Sequence, residues 1–290
     1  MVFIRYIVIL FLMKPVFGIG LKALEVPQTG LLISLSGAGI GSGLAVELNP
    51  ANIEHKQSCI SFSNNKWLGD LSGSKISYLQ SRNKFKHYFS FEFLSIDDIE
   101  LRNDQPSDNP LGYVESNWVA FDYAGNIPNN FNIDFGYKIK FNYSKLYTSR
   151  YYGYSFDFGL KKNILNNLDL GFVIKNFGVE YNGSESENIQ PTTGIGISYS
   201  LNLDKNYFKG FNFLFDVLDV DSQQILRLGA KINFPYIGIH IGSSFSENYR
   251  DIAYGLSFKY DNFELIIGNL NHENSILGSP VSLEFSYFLK

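Results

Sequence analysis

The stretch that most constrains the fold is residues 132–143, where apolar and polar side chains alternate without a break. One row contains Ile133, Phe135, Tyr137, Ile139, Phe141 and Tyr143, and the other contains Asn132, Asp134, Gly136, Lys138, Lys140 and Asn142. Successive side chains of a β-strand point to opposite faces, so this period of two predicts a strand with one aromatic face and one charged face. At helical spacing the charges would surround the helix and leave no apolar stripe.

Two environments accept such a strand. In a soluble sandwich the apolar face packs into a core and the polar face meets water. In an outer-membrane barrel the apolar face meets lipid and the polar face lines the lumen. The number of similar strands elsewhere in the chain has to decide between them.

The composition indicates an all-β protein. Of the 290 residues, 16% are aromatic and the formal net charge is −4, and aromatic side chains are enriched in strands. The mild acidity, without a dense basic patch, argues against nucleic acid as a partner. Cys59 is the only cysteine, which excludes an internal disulfide framework.

Residues 1–20 have the pattern of an export signal. Arg5 supplies the positive charge, residues 6–13 the apolar run, and residues 16–18 a small-residue exit. The run is shorter than the roughly 20 apolar residues that span a bilayer. We therefore expect residues 1–20 to act as an export signal peptide, an N-terminal anchor or a buried strand being the alternatives.

From residue 57 onward the chain repeats the strand pattern. We predict fourteen strands, at residues 57–66, 73–81, 86–96, 114–123, 131–144, 150–161, 168–179, 190–203, 208–219, 224–234, 236–246, 250–260, 262–270 and 279–290. A common sandwich uses about seven to nine strands, whereas about 14 strands of about 10 residues fit one membrane barrel. The prediction is a transmembrane antiparallel up-and-down β-barrel, with a soluble secreted β-protein as the alternative.

The connectors add a weaker pattern. Residues 97–112 and 180–188 are polar and are expected to form longer loops. Barrels alternate short turns at one end with longer loops at the other. By the predicted strand limits, the connectors at residues 64–73, 97–112 and 146–149 fall on different ends, so we expect the alternation to be imperfect.

Three short motifs carry a resemblance to a known family. They are the glycine-rich lead-in to Asn49, Pro50 and Ala51, the middle strands at residues 157–160 and 170–178, and the strand at residues 226–230. On these motifs the mature chain resembles the PorV/PorQ group of the FadL-like outer-membrane proteins. Residues 45–48 depart from the alanine- and aspartate-rich stretch usual in that group.

The resemblance implies a domain order and a choice of functions. It implies that residues 21–56 fold back into the lumen as a hatch, with Asn49, Pro50 and Ala51 as the hatch motif, and that residues 57–290 form the barrel. A lumen of this width cannot be filled by its own side chains, which agrees with a hatch. FadL-type members pass small hydrophobic molecules, whereas PorV- and PorQ-type members serve type IX secretion.

No catalytic constellation, cofactor site or metal site is predicted. The four histidines are scattered and none has a partner at metal-ligand spacing. We instead expect a charged lumen lining that pairs with itself and holds the hatch, or that forms a polar conduit. The candidate lining residues are Asp134, Lys138, Lys140, Asp157, Lys175, Arg227, Lys231, His240 and Glu264.

These observations predict a non-enzymatic protein of the bacterial outer membrane. Its expected function is passive transport or binding of small hydrophobic molecules past the hatch, with outer-membrane lipid as its surroundings. The alternative is a non-transporting accessory of type IX secretion that docks exported or secretion-system proteins.

Overall fold

The computed structural model describes residues 26–289 apart from 54–56, 68–70, 83–84, 104–107, 129–131, 204 and 274–277. The export signal expected at residues 1–20 lies outside the described residues, as do residues 21–25 of the expected hatch. Within the described part, no helix has the length and apolar character needed to cross a membrane.

Strands dominate the described chain. One short α-helix, α1, covers Gly30–Ser34, and one 3-10 turn covers Pro50–Asn52. The strands are β1 Cys59–Lys66, β2 Ser72–Arg82, β3 Phe85–Leu101, β4 Gly112–Ile127, β5 Asp134–Leu146, β6 Ser149–Leu165, β7 Leu168–Asn182, β8 Glu185–Ile189, β9 Thr192–Asn202, β10 Gly210–Val220, β11 Gln223–Asn233, β12 Ile237–Phe245, β13 Arg250–Tyr260, β14 Phe263–His272 and β15 Val281–Phe288.

The strands close into a single antiparallel barrel. Each wall strand pairs with its sequence neighbours, and β15 returns to pair with β1. β8 and β9 act as one wall strand, because both pair with β7 in one register, Gly178 with Ile189 and Lys175 with Thr192. The ladder is interrupted at Pro191, which lacks the N–H that a ladder needs. Fourteen strands therefore surround the lumen, which confirms the predicted fold class.

The two faces of the wall are reversed relative to a soluble protein. On β5, Phe141 and Tyr143 are 56% and 40% exposed on the outside, whereas Lys138 and Lys140 on the inside are 3% and 4% exposed. Outward rows of aromatic or aliphatic side chains recur on most of the other strands. Apolar residues outside and charges inside are the arrangement of a barrel in lipid, so the structure rules out the sandwich alternative.

Two expectations about the connectors were wrong. The described residues of the connectors at 64–73, 97–112 and 146–149 all lie at one end of the barrel, which we call the loop end, because each connector follows a strand running in the same direction as β1. Residues 180–188 form no long loop. They form the tight hairpin between β7 and β8, in which Asn182 pairs with Glu185 and Gly183 has a φ of +63°. A glycine readily adopts this left-handed conformation.

Replacing Phe141 by arginine tests the lipid face. We expect Phe141→Arg to lower the free energy of unfolding by about 2–4 kcal/mol, because it places a charge on the lipid face near the middle of β5. The control is Tyr113→Arg near the loop end, where the expected cost is about 0–1 kcal/mol. Urea unfolding in lipid vesicles measures both, and equal losses would contradict the assigned lipid face.

Candidate functional site

Residues 26–53, which we call the hatch, lie inside the barrel. Their centre is fully enclosed: Ile33, Leu35 and Ile40 are no more than 1% exposed. α1 begins after Thr29, whose Oγ1 accepts a hydrogen bond from the Leu32 N–H at 3.2 Å, an N-cap contact. The rest of the hatch has little regular structure, so it depends on the wall for its shape.

Glycines on the inner wall allow the hatch to come close. Eight of them form four directly opposed cross-strand pairs: Gly136 with Gly159, Gly171 with Gly196, Gly229 with Gly242, and Gly255 with Gly268. We call these the glycine pairs. A Cβ added at any of these eight glycines would lie within contact distance of hatch atoms or closer. At Gly242, for example, a Cβ would lie 2.6 Å from the Leu35 carbonyl oxygen, and at Gly171 it would lie 2.7 Å from the Ile40 carbonyl carbon.

Wall side chains also hydrogen-bond the hatch backbone. The Asp216 carboxylate accepts from the Gly39 N–H at 2.6 Å and from the Ile40 N–H at 3.2 Å. The Glu284 carboxylate accepts from the Leu31 N–H at 3.0 Å. These carboxylates satisfy buried backbone donors that regular secondary structure would otherwise satisfy.

Two residues predicted to line the lumen bond the hatch as well. Arg227 Nη1 donates to the Gly37 carbonyl at 3.1 Å. His240 is fully buried, with Nδ1 2.9 Å from the Ser34 hydroxyl and Nε2 3.3 Å from the Ser257 hydroxyl. Both residues therefore serve as anchors of the hatch in this state.

The predicted hatch motif sits against the wall. Asn49 caps the turn Pro50–Asn52, its Oδ1 accepting from the Ala51 N–H at 2.9 Å. The Asn49 amide also donates to the carbonyls of Ile40 at 2.9 Å and Leu160 at 3.1 Å. A Cβ on Gly159 would collide with the Asn49 side chain. The motif thus links the end of the hatch to Ile40 in the middle of the hatch and to β6 of the wall.

A buried ion pair joins the hatch to β2 and β3 of the wall. The Lys75 ammonium lies 2.8 Å from a carboxylate oxygen of Glu47 and 2.8 Å from one of Glu92. The Tyr88 hydroxyl donates to Glu47 at 2.7 Å. Burial alone would raise the pKa of Glu47, but the Lys75 charge and the hydrogen bonds from Lys75 and Tyr88 lower that pKa from 4.5 to about 2. Glu47, Lys75 and Glu92 were not among the residues predicted to line the lumen.

The charged row of β5 continues this network. Lys138 lies 2.7 Å from Asp157 and 3.8 Å from Asp122, and Lys140 lies 4.0 Å from Glu92. Lys138, Asp157 and Asp122 are at most 3% exposed. Unpaired buried charges are strongly unfavourable, so this dense pairing is what permits the lysines to point inward. We refer to the ion pairs on β2 to β6 as the ionic belt.

The remaining predicted lining residues are spread over the inner face. Asp134 stands at the rim, 62% exposed and 3.6 Å from the Lys161 ammonium. Lys175, Lys231 and Glu264 are half-buried on their strands. Among the residues that the structure describes, no three His, Cys, Asp or Glu side chains lie close enough to hold a metal ion.

The ionic belt leaves little free space beside the hatch. The cavity between them measures about 50 Å³ and is lined by charged residues that include Glu47, Lys75, Glu92, Lys140 and Lys175. A water molecule needs at least about 10–15 Å³ of such space. This cavity therefore has room for a few water molecules.

A larger cavity lies between the hatch and the loop ends of β10 to β14. It measures about 340 Å³ and is lined mainly by apolar groups, including Trp67, Val220, Ile225 and Leu270. At its edge His272 Nδ1 hydrogen-bonds Asp251, which also accepts from the Ser244 hydroxyl at 3.0 Å. Asp251 and His272 pair directly across β13 and β14. No pattern in the sequence predicted this cavity, since only the strand register brings its residues together.

The fold is shared with solved outer-membrane channels. The toluene transporter TodX of Pseudomonas putida matches with a TM-score of 0.62, covering 90% of this chain and 97% of that chain at 8% identity. The monoaromatic hydrocarbon channel CymD matches with a TM-score of 0.62, over 91% and 97% at 11% identity. A FadL homologue of Pseudomonas aeruginosa matches with a TM-score of 0.58, over 90% and 98% at 8% identity.

Comparisons of the sequence with known families and proteins do not narrow this assignment. No protein-family model matches the chain, and no curated protein matches it either. At identities near a tenth, the structural matches establish a FadL-like outer-membrane barrel fold. The PorV/PorQ resemblance stays a prediction.

The glycine pairs can be tested at Gly242. We expect Gly242→Ala to fold as a barrel but to push the hatch backbone away at Leu35, lowering the free energy of unfolding by about 1–3 kcal/mol, the usual range for overpacking. Ion conductance in planar bilayers should rise as the hatch loosens. In the control, Gly112→Ala, a Cβ meets nothing within 4 Å. An unchanged Gly242→Ala variant would show that the hatch does not require glycine there.

The Glu47 contact predicts a dependence on pH. Because folding lowers the Glu47 pKa from 4.5 to about 2, its stabilisation is complete above pH 4.5 and is lost as the pH falls towards 2. We therefore expect the stability difference between the native protein and Glu47→Gln to be constant from pH 7 to about 5 and to shrink below pH 4.5. Denaturant unfolding in detergent at several pH values measures it, and a difference that stays level down to pH 2.5 would contradict the assignment.

Proposed function

We propose that this protein is a passive channel of the bacterial outer membrane for small hydrophobic molecules. The observation that carries the proposal is the largely apolar cavity of about 340 Å³ at the loop end, directly above the hatch. Small-molecule sites are typically concave, mostly apolar and about 300–1,000 Å³ in volume. The shared fold supports the same class, since TodX and CymD are described as a toluene transporter and a monoaromatic hydrocarbon channel.

The hatch argues against a general porin for hydrophilic solutes. It crosses the lumen in contact with the glycine pairs and the ionic belt, and the cavity between the hatch and the ionic belt measures about 50 Å³. Entry of a hydrophobic molecule into the cavity would remove its apolar surface from water, which is favourable. Passage would then require a rearrangement of the hatch, whose backbone is held mainly by hydrogen bonds and close packing.

Docking of secreted proteins, the alternative implied by the PorV/PorQ resemblance, has weaker support. Most connections at the loop end are short, such as those between β5 and β6, β7 and β8, and β10 and β11. Stable protein–protein interfaces bury about 800 Å² on each partner. Short turns offer little such surface, which favours the channel.

Filling the cavity tests the channel proposal. Leu270 is 3% exposed and lines the cavity, so Leu270→Trp should reduce entry of labelled toluene into proteoliposomes severalfold. The matched control on the same strand is Ile267→Trp, whose side chain is 40% exposed on the lipid face and should leave the flux unchanged. A flux equal to that of empty liposomes for the native protein would overturn the proposal.

A further inference from the structure

The outer face of the wall carries a groove across β10 to β13. The groove measures about 610 Å³, and its floor includes two small outward side chains, Ala230 on β11 and Ser243 on β12. Ala230 pairs across the strands with Phe213, which is 57% exposed, and Ser243 pairs with Ile252, which is 49% exposed. Two small residues on adjoining strands, with large ones on either side, therefore open the groove. We call it the outer groove.

The polar group in the floor of the outer groove is satisfied within the wall. The Ser243 hydroxyl donates to the Asp251 backbone carbonyl of the neighbouring strand at 2.7 Å. Polar groups in contact with hydrocarbon need a hydrogen-bond partner inside the protein. With this donor used, the floor can lie against an apolar chain.

A cation lies at the loop end of the outer groove. Arg250 is the first residue of β13, is exposed, and lines the groove. Its guanidinium carbon lies 5.1 Å from the centre of the Phe245 ring, on the residue with which it pairs across β12 and β13. None of the salt bridges in the described part of the chain involves Arg250. Its planar fork of donors matches the geometry of a phosphate group.

The surroundings of the barrel indicate what covers the outer groove. The outward face of a membrane barrel meets the acyl chains of lipids. Through the register Ala230 is level with Tyr254, four residues along β13 from Arg250. At about 3.3 Å per residue these positions are about 13 Å apart, which is comparable with half of a hydrocarbon core about 30 Å thick. A lipid with its headgroup beside Arg250 can thus lay one acyl chain along the groove.

We propose that the outer groove is a binding site for one anionic phospholipid. One acyl chain lies on Ala230 and Ser243, and the phosphate accepts hydrogen bonds from the Arg250 guanidinium. An acyl chain that enters the groove leaves other lipid rather than water, so close packing and the charge-assisted contact supply the preference. The site is separate from the channel, because it lies on the opposite side of the wall from the hatch.

The headgroup contact is tested by native mass spectrometry. The full-length protein is released from detergent micelles that contain equal amounts of phosphatidylglycerol and phosphatidylcholine with the same acyl chains. The native protein should retain the anionic lipid about fivefold more, as expected for one basic residue at a lipid surface. Arg250→Gln should abolish this preference. The matched control is Arg150→Gln, because Arg150 is exposed at the loop end of β6, where the next outward residues are the large Tyr152 and Tyr154.

The floor of the groove is tested by filling it. Ala230→Phe should lower the retention of both lipids severalfold, because the added ring occupies the path of the acyl chain. The control Ile267→Phe, on the lipid face of β14 where the native side chain is 40% exposed, should leave retention unchanged. Both substitutions keep an apolar residue in contact with lipid, so both variants should still form the barrel.

Four outcomes would overturn this inference. They are equal retention of the two lipids by the native protein, unchanged retention in Ala230→Phe, and an equal loss of preference in Arg250→Gln and Arg150→Gln, which would show a general effect of charge at the rim. The fourth is a dimer in the native spectrum that is lost in Ala230→Phe, since a second copy of the chain would then cover the groove. A preference that depends on Arg250 and Ala230 alone supports the site, whether or not toluene crosses the barrel.

Discussion

The close approach of the hatch backbone to the inner wall is the contact on which the rest of the structure depends. A barrel of this width needs material to fill it, and the hatch fills it by lying against positions where the wall has no side chains. The glycine pairs supply those positions two at a time, on neighbouring strands from β5 to β14. Because any Cβ there would meet hatch atoms, the hatch and the wall act as one packed unit.

The lumen divides into parts with different chemistry. The ionic belt lies on β2 to β6, where Lys75 and Lys138 each pair with carboxylates and Lys75 binds Glu47 of the hatch. On β10 and β15, carboxylates hold hatch N–H groups. The loop end of β10 to β14 lies outside the ionic belt and beyond the glycine pairs, and the cavity lies there. The position of the cavity thus follows from where the close packing and the ionic belt stop.

Much of the fold could be predicted from the sequence. Alternation over residues 132–143 gave the correct two faces of β5, and the strand count was correct, since both depend on a local period. The predicted placement of the connectors at residues 64–73, 97–112 and 146–149 was wrong. The end at which a connector lies depends on the directions of all preceding strands, and small errors in the strand limits obscure those directions. The stretch 180–188 appeared loop-like because β8 is short and polar.

The sequence alone determined the two-faced strands, their number and a glycine-rich segment available to fill a lumen, because side-chain alternation and glycine content are local properties. Only the tertiary structure decided which charges meet. Lys75 reaches Glu47 in the hatch, and Asp251 faces His272 across two strands. Such contacts depend on strand register and on the path of the hatch, and both are set by packing across the whole lumen. The cavity, bordered by residues from Ser36 to His272, is a product of that packing.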